Sequence, residues 1–239
     1  MIKLPSGVEI KKLIDDLRII SWEASEILIY YAQILRYSNY KSNILTNDNI
    51  EDPVTIADLK VNEKIIGNLN EKYNDIDWII LSEENVKVPP KSFEKNSDWV
   101  WILDPLDGTK DFIQGTGNYA MHLALNYKKK PIIGIVLIPD KNELWFSYGD
   151  DIWCEKRDGS RIKFNISRNK IIKEMVLVTS KNHRNEALKD LIHKINFKEV
   201  LTMGSIGCKI ASIIRGESDI YISLSLPKQR DRKSTRLNS

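Results

Sequence analysis

Cysteine is scarce in this chain: Cys154 and Cys208 stand alone, with no CxxC spacing. Two isolated thiols give neither a disulfide scaffold nor a zinc site, so a reducing cytoplasm is the expected setting. Long apolar runs are missing as well. No segment approaches the ~20 uncharged apolar residues that span a bilayer. The most apolar helical stretch, Leu13 to Leu35, is interrupted by Asp15, Asp16, Arg18, Glu23 and Glu26. The N-terminus lacks the basic, apolar, small-residue order of a signal peptide. There is no internal repeat and no long low-complexity segment. A broad excess of positive charge is absent too. The net charge is +3, but residues 228–239 alone carry five basic side chains against Asp231, which leaves the remainder at about −1. The basic pI is a tail effect, and no nucleic-acid surface is expected from it.

What remains is an ordinary soluble globular balance, 42% hydrophobic and 29% charged. The 239 residues suffice for one large or two small domains with a sizeable core. Leu13, Leu17, Ile20, Ala24, Ile27, Leu28, Tyr31 and Leu35 recur at helical spacing, predicting a long amphipathic helix over residues 8–37. The polar stretch 38–52 reads as a loop. A second helix is predicted from about Ile56 to Tyr73. Apolar runs at Trp78–Leu81 and Trp99–Leu103 read as strands that end in carboxylates. Tyr119–Tyr127 and Pro131–Ile138 flank a Lys-Lys-Lys turn and predict a hairpin. Short strands are expected at Leu144–Ser147 and Ile152–Glu155. Beyond them, strands at Met175–Thr179, Val200–Met203 and Ile220–Ser223 alternate with helices at Asn185–Lys194 and Ser205–Arg215. That alternation indicates an α/β layer.

The chemistry concentrates in three segments. Asp104-Pro105-Leu106-Asp107-Gly108-Thr109 follows an apolar strand. Pro105 cannot donate to a sheet ladder, so a turn is expected there. Two carboxylates three residues apart on a tight turn can converge on one point. Gly108 lets the backbone approach a ligand, and Thr109 opens a short helix whose free N–H groups favour an anion. Hard oxygen donors suit Mg²⁺, which keeps several of its waters. Asp-Pro and Asp-Gly are common turn dipeptides, but the whole hexamer behind an apolar strand is rare by composition. Glu83 and Glu84 end the preceding strand. Alone they read as solvated acids; beside the hexamer, one can complete a metal set and the other stand behind it. In Asp52-Pro53-Val54-Thr55-Ile56-Ala57-Asp58, Thr55 could cap the second helix with Asp58 closing a capping box. Alternatively, Asp58 accepts a proton through the hydroxyl of Thr109, from a water whose pKa a metal has lowered.

These three segments, in this order and spacing, resemble the lithium-sensitive, Mg²⁺-dependent phosphomonoesterase superfamily. That group includes inositol monophosphatase, fructose-1,6-bisphosphatase and 3′(2′),5′-bisphosphate nucleotidase. The resemblance runs from the first helix to about Lys228. It implies an α/β fold, an α+β layered sandwich of the inositol monophosphatase or sugar phosphatase type. It implies Glu83, Asp104, Asp107 and the backbone carbonyl of Leu106 as ligands of two or three Mg²⁺ ions, with Asp104 bridging. Asp58 and Thr109 would activate the attacking water, and Gly108 and Thr109 would offer N–H groups to the phosphate.

Leu81-Ser82-Glu83-Glu84, Pro105 to Ile113 and Thr179-Ser180-Lys181-Asn182-His183-Arg184 resemble most the 3′(2′),5′-bisphosphate nucleotidase branch. Gly204-Ser205-Ile206-Gly207-Cys208-Lys209 is similar to its nucleotide-contacting segment, departing at Gly207, where Ser is commoner. The resemblance makes His183, Gly204, Ser205 and Lys209 candidates for a nucleotide. It implies hydrolysis of 3′-phosphoadenosine 5′-phosphate to AMP and phosphate, linked to sulfate assimilation. An inositol-phosphate or other sugar-phosphate monoesterase is the alternative. The implied organisation is a metal-binding catalytic part over residues 1–150, a substrate-specificity part over 151–228 and a tail at 229–239. A small nucleotide is the expected partner, with no nucleic acid, no membrane and a homodimer as a further expectation from resemblance. The family also places a Trp-Asp pair after the strand at Asp219-Ile220-Tyr221, its Asp a further ligand. Neither residue follows here, so the expectation is a truncated or artefactual C-terminus and, as a further alternative, an inactive fragment. His122, within a predicted strand, is read as structural. His193 sits on a helix without a recognisable acidic partner. The tryptophans, mostly in or beside apolar strands, read as core or interface residues rather than base-stacking ones.

Overall fold

A computed structural model of the chain describes residues 4–37, 53–86, 97–164, 170–181 and 186–224. The predicted loop at 38–52, His183 and the tail at 229–239 lie outside the described residues. The chain divides into two compact units. One runs to Ile162 and takes in Ser205–Cys208; the other comprises Lys163–Gly204 and the residues from Lys209 onward.

The first unit begins with two long helices, α1 (Ile10–Tyr37) and α2 (Pro53–Lys72), packed on each other. The α1 stripe Leu13, Leu17, Ile20, Ala24, Leu28, Ala32 is buried along its length, as its spacing predicts. Helix α2 starts at Pro53, three residues earlier than predicted, because proline is pre-set for the first helical position. Thr55 is therefore an exposed residue inside the first turn and Asp58 lies in the second. The capping-box reading of that pair does not hold.

A six-stranded sheet follows in simple order: β1 (Ile79–Ser82), β2 (Trp99–Asp107), β3 (Ala120–Tyr127), β4 (Lys130–Ile138), β5 (Glu143–Tyr148) and β6 (Asp151–Lys156). β1 pairs parallel with β2, and every later pair is antiparallel. Between β1 and β2 lies the single turn α3 (Glu83–Val86); between β2 and β3 lies α4 (Thr109–Gln114). Period-two alternation puts Trp101, Leu103, Leu123, Leu125, Ile133, Ile135, Leu144 and Phe146 into one buried cluster with the α1 and α2 stripes. Within it Trp78 packs against Tyr73 with tilted rings and against Trp101 edge to face, centroids 5.2 and 5.5 Å apart, so these tryptophans are core residues. The β3–β4 hairpin closes through Lys128 and Lys129, whose φ values of 48° and 65° suit a two-residue turn that follows the strand twist.

The second unit carries an all-parallel three-stranded sheet in the order β8 (Glu199–Met203), β7 (Val176–Ser180), β9 (Ile220–Tyr221). Helix α5 (Glu186–Ile195) connects β7 to β8 and α6 (Ile206–Ile214) connects β8 to β9. Asp219 pins β9 to β7: its carboxylate accepts the Val176 N–H and the Lys170 ammonium, each at 2.7 Å.

One buried polar site ties α1 to the end of α2. Asp16 accepts hydrogen bonds from Lys72 Nζ and Tyr73 Oη, both at 2.8 Å. Burial pushes the Asp16 carboxyl up, but the two hydrogen bonds outweigh it and hold the group below its usual 3.8. Asp16→Ala, which strips the buried Tyr73 hydroxyl of its acceptor, is expected to cost about 1–3 kcal/mol in urea unfolding at neutral pH. Because the folded-state pKa is depressed, that difference is complete above 3.8 and shrinks as pH falls through the lower folded value.

Candidate active site

The sequence reading expects Pro105 to break β2. Instead the strand runs through to Asp107 and absorbs the proline in a bulge. Asp104 pairs with His122 and Asp107 with Ala120, so β2 advances three residues while β3 advances two. The difference matters geometrically. Residues three apart on a regular strand point to opposite faces; one extra residue resets the alternation. Asp104 and Asp107 thereby stand opposite two residues, His122 and Ala120, that share one face. Pro105 has no N–H to leave unpaired, which suits the bulged position.

Glu83 arrives from the neighbouring strand. Ser82 at the end of β1 pairs with Leu103, which sets Glu83 next to Asp104 across the parallel register. The buried Ser82 hydroxyl accepts the Glu84 N–H at 3.4 Å and starts the turn α3, with both glutamates at its N-terminus. Asp58 comes from α2, which packs on β2.

Four carboxylates from three elements thus lie near enough for the other three to act on Asp104. Burial, followed by the charges of Asp107, Glu83 and Asp58, pushes the Asp104 carboxyl up from 3.8 to about 7. Among the described residues, no three acidic, histidine or cysteine side chains close into a ready coordination shell. The charges are close enough to be felt but stand further apart than ligands around one ion. The donor set is all oxygen and strongly anionic. That fits Mg²⁺, which bridges such gaps with its own waters, and it does not fit a soft metal.

Gly108 follows directly. Its φ of +89° is left-handed, and a Cβ there would lie 2.8 Å from the Asn118 carbonyl and 3.0 Å from the Ser205 nitrogen. Only glycine satisfies both conditions. Its carbonyl accepts the Phe112 N–H at 3.0 Å and opens α4, with Thr109 exposed at the first position. Thr109 Oγ1 stands 3.5 Å from the Leu106 carbonyl, a contact too long to tie the hydroxyl down.

The candidate nucleotide residues fall differently. Ser205 is buried, and its hydroxyl accepts the Cys208 N–H at 3.3 Å, the geometry of an N-cap for α6. Lys209 is 2% exposed, and its ammonium donates to Gly204 O at 2.8 Å, Met203 O at 3.1 Å and Ser180 Oγ at 3.3 Å. The Ser205 hydroxyl is thus engaged in the first turn of α6, and the Lys209 ammonium holds the carbonyls of Met203 and Gly204. His193 is exposed near the end of α5. Cys154 and Cys208 are buried free thiols. A cavity of about 800 Å³, lined by Asp75, Asp77, Asp98, Trp99 and Tyr127 among others, lies at the start of β2, the opposite end of the strand from Asp104 and Asp107. It has no part in the site.

The residue that the sequence reading placed in the structural background is His122. Its Nε2 lies 3.5 Å from Asp107 Oδ2. The signal available in the sequence was strand alternation: pairing β2 with β3 sets His122 on the carboxylate face.

With this geometry in view, the chain belongs to the inositol monophosphatase family, which it matches over residues 12–232. It is 33% identical over 144 residues to 3′(2′),5′-bisphosphate nucleotidase CysQ of Buchnera aphidicola, an overlap of 59% of this chain and 51% of that protein. It is 26% identical over 199 residues to inositol monophosphatase 2 of Solanum lycopersicum, covering 80% and 73%. Among solved structures, CysQ from Bacteroides thetaiotaomicron superposes with a TM-score of 0.61 at 26% identity, covering 83% and 74%. The chain spans about half to two thirds of the length of the CysQ relatives it matches. Among the described residues, no helix is long and apolar enough to cross a membrane.

The raised Asp104 pKa carries a sign that can be checked. Its folded value of about 7 exceeds the ordinary 3.8, so ionising it opposes folding. Without metal, wild-type protein is expected to lose stability as pH rises across that window. Asp104→Asn, in chelator, is expected to melt several degrees higher than wild type at about pH 8 and level with it at about pH 4. Added Mg²⁺ is expected to raise the wild-type melting temperature and leave that of the variant unchanged.

Proposed function

We propose that this chain is the catalytic portion of a Mg²⁺-dependent phosphomonoesterase that hydrolyses 3′-phosphoadenosine 5′-phosphate to AMP and phosphate. The observation that carries the reading is the grouping of Asp58, Glu83 and Asp107 near Asp104, whose carboxyl is driven to about 7 by its burial and then by their charges. Such mutual repulsion on a folded protein calls for a cation. The substrate rests on the similarity to CysQ nucleotidases.

In this mechanism Glu83, Asp104, Asp107 and the Leu106 carbonyl hold Mg²⁺, two or three ions in all. Bound Mg²⁺ supplies positive charge to the entering and leaving oxygens. The Gly108 and Thr109 N–H groups orient the phosphate. Thr109 Oγ1 takes a proton from the attacking water and passes its own to Asp58. The new O–P bond forms in line with the ester O–P bond that breaks, and the ribose 3′ oxygen takes up a proton from solvent. No covalent phosphoenzyme is needed. Ser205 and Lys209 act on the nucleotide through the Gly204–Ser205 backbone that they hold, and His183 is assigned a direct contact with it. The first unit supplies the metal chemistry and the second supplies specificity.

The similarity to a plant inositol monophosphatase across most of the chain favours a second reading, an inositol-phosphate or other sugar-phosphate monoesterase. Phosphate release from 3′-phosphoadenosine 5′-phosphate and from inositol 1-phosphate, offered separately with and without Mg²⁺, decides between them. Mg²⁺-dependent release from the nucleotide is expected, with Asp58→Asn lowering kcat about 100- to 10,000-fold. Release from inositol 1-phosphate alone would transfer the assignment to the second reading. Release from neither would show that this chain is not by itself a phosphatase of either kind.

A further inference from the structure

Asp107 is gripped at one oxygen only. Oδ2 accepts the Ile206 N–H at 2.6 Å, and His122 Nε2 stands 3.5 Å from the same atom. No hydrogen bond reaches Oδ1 from the described residues. The Ile206 N–H therefore holds Oδ2, and the His122 ring stands beside the same oxygen without a hydrogen bond to it, walling one side of the carboxylate. His122 is half-buried on the central strand β3, directly opposite Asp104, so a rigid element sets its position.

The fit around the imidazole is close. A Cβ built on Gly207 would lie 2.4 Å from His122 Nε2 and 2.6 Å from Val136 Cγ1. No real Cβ tolerates such distances, so any side chain at 207 must displace the ring or lift the first turn of α6. Either movement disturbs Asp107, because Ile206, one residue earlier on that turn, supplies the other contact to Oδ2.

We propose that His122 is a positioning residue for the cation site. The Ile206 N–H holds Asp107 by Oδ2, the His122 ring blocks rotation of the carboxylate on that side so that Oδ1 is left to face Mg²⁺, and Gly207 is the residue that makes room for the ring. The proposal rests on the reading of Asp107 as a cation ligand. Groups behind metal ligands typically change affinity 10- to 100-fold when removed.

The test is Mn²⁺ binding by calorimetry on the full chain, with the metal-free melting temperature as the control for folding. His122→Ala is expected to weaken Mn²⁺ binding about ten-fold or more while the metal-free melting temperature moves little. His122→Asn, which keeps a side-chain N–H, is expected to recover part of that loss. Gly207→Ala is expected to weaken binding by pushing aside the ring or the first turn of α6 that carries Ile206. A purely structural role would move the melting temperature and leave the affinity alone. Mn²⁺ affinity in His122→Ala within about twofold of wild type would overturn the proposal while leaving the phosphatase reading intact. If His122→Ala does not fold, unchanged affinity in both His122→Asn and Gly207→Ala would overturn it equally. Wild-type chain that neither binds Mn²⁺ nor releases phosphate would bring down both.

Discussion

Everything distinctive in the first unit follows from one extra residue in β2. A strand can deliver two carboxylates to one face at positions i and i+2, but the intervening residue then points to the other face. The bulge allows a spacing of three, with Pro105 and Leu106 between the acids and both of them buried. Leu106 packs into the apolar core between the two acids. The same bulge ends the strand pairing at Asp107, so that Gly108 can turn left-handed into α4. The anionic cluster, its floor and its exit are consequences of a single irregularity in a regular ladder.

The cluster is unfavourable on its own terms. A carboxyl whose pKa is driven to about 7 by its burial, and then by the neighbouring acids, reports a cost of ionisation that the rest of the unit must offset. It can do so because α1 and α2 bury a continuous apolar stripe against the sheet, far more than one ionised group opposes. This is the usual division of a functional site. Stability comes from a large apolar interface, and the site is tuned for a ligand at the expense of local stability.

The fold was largely legible because its elements carry strong periodicity. The α1 stripe and the alternation in β2 to β5 each correspond to a buried face. The acidic positions were legible because Glu83 and Asp104 sit where apolar runs end. What escaped were features set by chain crossings. Pro105 reads locally as a strand breaker, and only the pairing with β3 shows it absorbed within a bulge. Thr55 reads as a cap until Pro53 is seen to start the helix earlier. Ser205 and Lys209 read as ligand contacts, yet their polar groups turn inward to the backbone that they hold. His122 reads as a strand residue, and its place beside Asp107 depends on a register that a single sequence does not display.

The glycine under the imidazole has a consequence for how this sequence can drift. Positions 122 and 207 lie 85 residues apart, yet they share one volume. Any side chain added at 207 must be met by a shift of the His122 ring, of Val136 or of the first turn of α6, so a change at one of these distant positions is felt at the others.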